Sequence, residues 1–337
     1  METRNKSFLD IPKPRKEVEA LNPYSAPLEG RRNLLRLDFN ENTIGPSPIV
    51  IQAIRKISRE EISIYPEYSD LTKEFVNNLR KQNPHISISS SEVGIFNGVD
   101  AAINAIFHAY GEDKEIMLTT SPTFGYYTPC AEMRGMKITS IPYEGMDFKY
   151  PFHKICEFIA HNNPKILLIC NPNNPTGTRL NPERIIEISK LSPKTLVVID
   201  ELYEAFTSDS VLPFVNFQKT PNLVILRSLS KTAGLAGLRI GFAIGNSKVI
   251  NIVNRVTGPY DVNSFAVIAA FAALKDQSYI DSYVTEVLEA RNWLQIKLEQ
   301  HNVKHHISGG NYFLLWPKSG PTETEKKLKE SGILIRS

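Results

Sequence analysis

Between residues 90 and 245, short apolar runs rich in β-branched residues alternate with stretches whose apolar positions recur at helical spacing. The runs at 93–96, 115–118, 137–141, 166–170, 196–199 and 223–226 predict strands, and 100–110, 122–134, 152–162 and 181–191 predict the helices between them. Such alternation specifies an α/β fold with a mostly parallel central sheet and helices on both faces, because each parallel crossover lays a helix on the sheet. A further apolar run at 238–244 predicts another strand, with antiparallel placement left open. Upstream, residues 1–35 are polar and carry Pro12, Pro14, Pro23 and Pro27, which predicts an arm. Residues 36–48 begin strand-like and end in turn chemistry. Helices are expected over 49–57 and 71–82, with Tyr65 held beside Pro66 in the loop between them. Downstream, 265–274 predicts a buried helix capped by Asn263 and Ser264. Residues 283–300 predict an amphipathic helix with Val287, Leu288, Leu294 and Leu298 on one face. The tail predicts a strand at 312–316, a helix at 322–329 and a strand at 333–335. Together with the arm, this tail makes a second, smaller α+β domain.

Composition narrows the partners. The chain has 337 residues, 42% hydrophobic and 22% charged, with a net charge of +3. That charge is too small, and the basic residues too dispersed, to indicate nucleic acid or an anionic membrane. Cys130, Cys156 and Cys170 are widely spaced and odd in number, so no disulfide framework or zinc site is expected, and a reducing, cytoplasmic setting is. The seven histidines show no metal-ligand spacing, and His305-His306 reads as surface. No apolar signal segment opens the sequence, and no run is long enough to span a bilayer.

Five segments carry candidate chemistry. Lys231 sits in Ser228-Leu-Ser-Lys231, followed by glycines and by Arg239. A lysine in such a turn can form an imine with a carbonyl, while Ser228, Ser230 and Arg239 are suited to an anion; a solvated loop lysine is the bland alternative. Asn97-Gly-Val-Asp100 lies between a strand and a helix, where the glycine lets backbone amides approach a ligand and the helix start favours an anion, or where the glycine merely turns the chain. Asn171-Pro-Asn-Asn-Pro-Thr-Gly177 follows a strand at its C-terminal end and rigidifies Asn174 as a donor. Asp200 closes an apolar strand, with Tyr203 three residues on; a carboxylate there needs a cationic or hydrogen-bonding partner, or else caps the junction. Ser121-Pro-Thr-Phe-Gly-Tyr-Tyr127 places Phe124 to stack on a planar ring or to pack in the core.

In order, N-G-V-D, P-T-F-G, N-P-N-N-P-T-G, D-E-L-Y, S-L-S-K and R-I-G-F resemble the fold-type I, pyridoxal 5′-phosphate (PLP)-dependent aminotransferases of class I/II. The histidinol-phosphate aminotransferase branch is the nearest likeness, helped by L-D-F-N-E-N…G-P-S-P and Y-P-E-Y, and the match runs from about Leu37 to Arg336. The resemblance implies that Lys231 forms the imine with PLP and then moves the substrate's proton. It implies Asp200 on the pyridine nitrogen, Asn174 and Tyr203 on the phenolic oxygen, and Phe124 on the ring. Ser228, Ser230, Arg239 and the amides of Val99 and Asp100 would hold the phosphate. Asn40 and Arg336 would face substrate, and Tyr65 would reach the neighbouring subunit's cofactor, implying a homodimer. The implied domains are 1–45 (arm and part of the small domain), 46–260 (large, PLP-binding) and 261–337 (small). The implied reaction is ping-pong transfer from histidinol phosphate or an aromatic amino acid to a 2-oxo acid such as 2-oxoglutarate. A PLP decarboxylase of a phosphorylated amino acid shares the same cofactor residues, and a non-catalytic PLP-binding regulatory domain is the remaining alternative. The family's second substrate-gripping arginine has no counterpart after Ser337, which reads as a clipped sequence.

Overall fold

The structure, a computed structural model, describes residues 12–21 and 29–337, so the arm expected over 1–35 lies partly outside the described residues. Eleven strands follow in chain order: β1 (Leu35–Arg36), β2 (Val93–Phe96), β3 (Ile116–Ser121), β4 (Lys137–Pro142), β5 (Ile166–Cys170), β6 (Leu196–Asp200), β7 (Leu223–Ser228), β8 (Gly241–Gly245), β9 (Lys304–His306), β10 (Leu314–Trp316) and β11 (Ile333–Leu334). Seven of them form one sheet in the order β2-β8-β7-β6-β5-β3-β4. β8 runs antiparallel to both of its neighbours and the other pairings are parallel.

Every residue of β5 and β6 is buried, as a strand covered on both faces requires. One face packs on Val50, Leu71, Ile155 and Ile185, the other on Ile103, Phe107, Tyr127 and Val253. Burying each large aliphatic side chain contributes about 1.5–3 kcal/mol, so the central strands cannot shift cheaply. Their register sets Cys170 beside Asp200 and Asp200 beside Leu226, which brings three strand ends to one rim. The helix Ser264–Lys275 lies against Pro48–Arg55 and Ser69–Gln82 in this same core, its Ala266, Ala269, Ala270 and Ala273 permitting close approach.

Several boundaries differ from the sequence expectation, each for a physical reason. The helix expected over 122–134 is confined to Tyr127–Glu132, because Pro122–Tyr126 forms a turn at the end of β3. The strand expected over 238–244 starts at Gly241, since Ala236–Leu238 is a 3₁₀ turn and Arg239 has φ +57°. The first helix breaks into Pro48–Arg55 and Arg59–Ser63, where Ser58 and Glu61 form a capping box. The amphipathic helix begins earlier, at Gln277, and runs to Gln300. A helix at Ser247–Asn254, capped by Asn246, was not expected. His305 and His306 are not free surface: both lie on β9 and are partly buried, with His306 edge-on to Phe148.

Two small sheets complete the structure. β1 pairs in parallel with β11, and β9 pairs antiparallel with β10; none of their residues is buried. Among the described residues no helix is long and apolar enough to cross a membrane.

Candidate active site

Asp200 ends β6 and is buried. Its Oδ2 accepts from the Tyr127 hydroxyl at 2.6 Å and its Oδ1 from the Leu202 amide at 3.2 Å. Burial pushes its carboxyl up to about 6 against these two donors, and the charges of Asp100 and Glu201 push the same way. A buried carboxylate with this tendency is suited to a cationic partner.

Lys231 follows β7 in a turn crossed by residues 39–46. Its ammonium donates to the Phe39 carbonyl at 2.7 Å, and Asn42 Nδ2 donates to the Thr232 carbonyl at 3.0 Å. Gly234 (φ +72°) meets this crossing segment so closely that a Cβ would stand 2.8 Å from the Gly45 carbonyl carbon. Loss of hydration lowers the lysine to about 8, opposed by the negative charges of Glu41 and Asp100. A larger fraction of the amine is therefore neutral at pH 7 than in an exposed lysine.

An anion cradle lies beside it. The helix Val99–Tyr110 starts at Gly98 (φ +82°), where a Cβ would come within 2.6 Å of Arg239 Nη2. Gly241 on β8 lies against the same helix start, a Cβ there meeting the Val99 nitrogen at 2.5 Å, and it is in register with Ser228. Arg239 donates to Asp100 Oδ2 at 3.0 Å, and Ser228 Oγ lies 2.9 Å from Ser230 Oγ. Backbone amides at a helix start, two hydroxyls and a guanidinium thus converge as an anion site.

Tyr203 joins the lysine to the rest. Its hydroxyl accepts from Asn40 Nδ2 at 3.1 Å and from Asn174 Nδ2 at 3.4 Å, while Lys231 Nζ stands 5.9 Å from its ring centre. Asn173, fully buried, donates to the Pro122 carbonyl and to Thr176, and accepts from Thr123, which seats the Asn174 turn against the Phe124 turn. Phe124 stands edge-on to Tyr127 at 5.4 Å.

The structure therefore brings together Lys231, Asp200, Tyr203, Asn174, Ser228, Ser230, Arg239, Val99, Asp100 and Phe124. Asn40, expected to face substrate, donates its amide to the Tyr203 hydroxyl. Arg336 lies over the Phe39 ring at 5.6 Å, with Arg31 over that ring at 4.2 Å, so it is tied to the site through the residue whose carbonyl holds Lys231. Tyr65 is 70% exposed and stacks on Tyr260 at 3.9 Å. Sequence reasoning missed Tyr127, Asn173, Asn311 and Tyr312. Asn311 donates to the Asn40 carbonyl, and Tyr312 donates to the Asn173 carbonyl and stands edge-on to Tyr203. The second tyrosine of the Phe-Gly-Tyr-Tyr turn was the available signal for Tyr127.

An anion cradle, a buried carboxylate, a lysine and amide-supported phenol suit one flat ligand carrying a phosphate, a basic ring nitrogen and a carbonyl. Glycines where a Cβ would fill the cradle support the same fit.

Known proteins agree. The family model for class I and II aminotransferases matches residues 32–337. A histidinol-phosphate aminotransferase of Clostridium novyi is 32% identical over 326 residues, covering 96% of this chain and 88% of that protein. A dihydroxyacetone phosphate transaminase of Campylobacter jejuni is 35% identical over 283 residues, covering 82% of this chain and 75% of that protein. The structure of a Sinorhizobium meliloti histidinol-phosphate aminotransferase in complex with pyridoxal-5′-phosphate shares the fold, with TM-score 0.83 at 22% identity over 97% of this chain and 90% of that one. The chain belongs to the class I and II aminotransferases, enzymes that work through PLP.

Proposed function

We propose that this enzyme transfers an amino group between a small phosphorylated amine and a 2-oxo acid such as 2-oxoglutarate, with histidinol phosphate as the leading donor and aromatic amino acids as its rivals. The observation that carries the chemistry is the placement of Lys231 and Asp200 on adjacent strand ends, with burial moving their proton affinities in opposite directions. The substrate class is supported by the relatives' names. Histidinol phosphate and dihydroxyacetone phosphate share a reacting carbon flanked by a phosphate-bearing CH₂ group.

When bound, PLP supplies an aldehyde carbon for the amine and a ring that withdraws electrons from it. Lys231 would hold the aldehyde end of PLP through its neutral amine, and its Nζ would take and return the substrate's Cα proton. Asp200 would hold a positive ring nitrogen, Tyr203 with Asn40 and Asn174 would orient the ring oxygen, and Phe124 would pack on the ring. Val99, Asp100, Ser228, Ser230 and Arg239 bind the phosphate. Arg336 takes the anionic end of the substrate. The first product leaves before the acceptor binds, giving ping-pong kinetics.

Tyr65 belongs to the neighbouring subunit's site in a homodimer. The support is an exposed apolar ridge around it, formed by Ile62 (59%), Ile64 (54%), Tyr65 and Tyr260 (53%). Residues 1–45 and 261–337 form the smaller, substrate-side domain beside the PLP-binding region 46–260, and the helix Ser264–Lys275 ties the two together by packing in the main core.

The test is stopped-flow absorbance of the PLP-loaded enzyme with single donors: histidinol phosphate, phenylalanine, tyrosine, glutamate and phosphoserine. The expected outcome is fastest conversion of the visible band by histidinol phosphate. Carbon dioxide release from phosphoserine would establish the decarboxylase instead.

A further inference from the structure

We propose that Tyr127 is a positioning residue: by donating its hydroxyl hydrogen to Asp200 Oδ2, it keeps the proton shared by this carboxylate and the cofactor's ring nitrogen on the nitrogen. The inference rests on the reading of Asp200 given above and adds a residue to it.

The geometry is specific. The O···O distance of 2.6 Å is that of a charge-assisted bond from a hydroxyl to a carboxylate, and both side chains are buried, so water does not compete. Burial, and the Asp200 charge after it, hold the phenol well above its ordinary range, so Tyr127 stays a donor. Each carboxylate oxygen takes one protein donor, Oδ2 from Tyr127 and Oδ1 from the Leu202 amide, which fixes the rotation of the group. Among the described residues Tyr127 is the one side chain that hydrogen-bonds this carboxylate. The other titratable groups around it play different parts. Cys170 on β5 is buried and directs its thiol to the Pro172 carbonyl. Glu201 is paired with Arg227 at 2.9 Å, Asp100 with Arg239, and Lys231 and Tyr203 serve the opposite side of the site.

The physical consequence concerns where a proton rests. A carboxylate facing a pyridine nitrogen shares one proton with it. Burial makes the carboxylate more basic and draws the proton away from the ring. A donor on Oδ2 stabilises the anion and would return the proton to the nitrogen. Tyr127 is held for this by its own turn: the helix Tyr127–Glu132 starts there, and Phe124 packs edge-on against its ring. One short segment thus places a ring against the cofactor and tunes the carboxylate beneath it.

The experiment is ¹⁵N NMR of Tyr127→Phe holoenzyme loaded with PLP labelled at the ring nitrogen, alongside steady-state kinetics. The wild type gives a pyridinium shift at pH 8. The variant moves toward the neutral-pyridine shift, and kcat falls about tenfold with KM nearly unchanged, as expected for losing a hydrogen bond to a charged group. A variant that keeps the wild-type pyridinium shift overturns the proposal. Should Tyr127→Phe not fold, infrared spectra of the full chain without cofactor decide it. Asp200→Asn must move one tyrosine C–O band to the position of a weaker donor, and an unchanged spectrum overturns the assignment. Because no PLP enters the second measurement, failure of the functional reading is told apart from failure of the Tyr127 role.

Discussion

Leu226 on β7 and Leu315 on β10 are both strand leucines, yet the first is fully buried and the second 36% exposed. The contrast holds for the regions they belong to. β5, β6 and β7 end in the cofactor side of the site and are packed on both faces, so Asp200 and Lys231 are carried by backbone that cannot move without opening cavities. The proposed substrate side would be carried by β1, β9, β10 and β11, short ladders with no buried residue, with Arg336 just past Ile335 at the end of the last. Rigid placement suits a reaction that is the same for every substrate. A lightly packed rim allows the residues that select substrate to change at small cost in stability. Relatives acting on histidinol phosphate and on dihydroxyacetone phosphate are consistent with that division.

Substitutions on the two sides should therefore fail differently. Lys231→Ala should reduce transamination by roughly 10⁴-fold or more, because nucleophile and proton carrier are lost together; single-turnover absorbance with the best donor measures it. Asp200→Asn should lower kcat by roughly 10²–10³-fold, the usual loss when one preorganised electrostatic partner is removed. Arg336→Ala should raise KM for a phosphorylated donor by about 10–100-fold while kcat changes less than about threefold. Equal losses in kcat and kcat/KM would remove the distinction between the two sides. In stability the contrast runs the same way: Leu226→Ala should cost about 2–5 kcal/mol, and Leu315→Ala about 1 kcal/mol or less, by urea unfolding of the unloaded chain.

A further effect is in pH. Capture of PLP needs the neutral Lys231 amine, so its rate should climb as pH rises toward about 8 and level off above. At pH 7 it should lie about tenfold below the plateau. The same lowered affinity makes the ammonium a burden on the fold. That burden is fully present below pH 8 and disappears as pH rises toward the ordinary lysine value of 10.5, so the cofactor-free chain should gain stability across that window.

Much of this was legible before the structure. Strands β5, β6 and β7 are continuous runs of leucine, isoleucine and valine, and such runs have one stable placement, the middle of a covered sheet. Lys231, Asp200 and Asn174 were legible because polar residues at the ends of such runs need a reason to be there. Tyr127 was not. An aromatic residue among Phe124, Tyr126 and Cys130 reads as core, and only the folded chain shows its hydroxyl on Asp200, seventy-odd positions later. β9 escaped because Lys304-His-His306 has no apolar alternation; its pairing is set by β10 and by the Phe148–His306 contact. The contact of Asn40 with the Tyr203 hydroxyl was not legible either, because a motif records which residues recur and not which side chain an amide meets across 163 positions.

The pairing of β1 with β11 has a consequence for synthesis. Leu35 lies beside Ile333 and Arg36 beside Leu334, so this ladder joins segments separated by almost the whole chain. Its closure carries the loop entropy of everything between and cannot occur until residues 333–334 have left the ribosome. The large sheet, complete at β8 by residue 245, can pack long before. A nascent chain would then carry a finished cofactor floor before it has the arginine proposed to select what the floor works on.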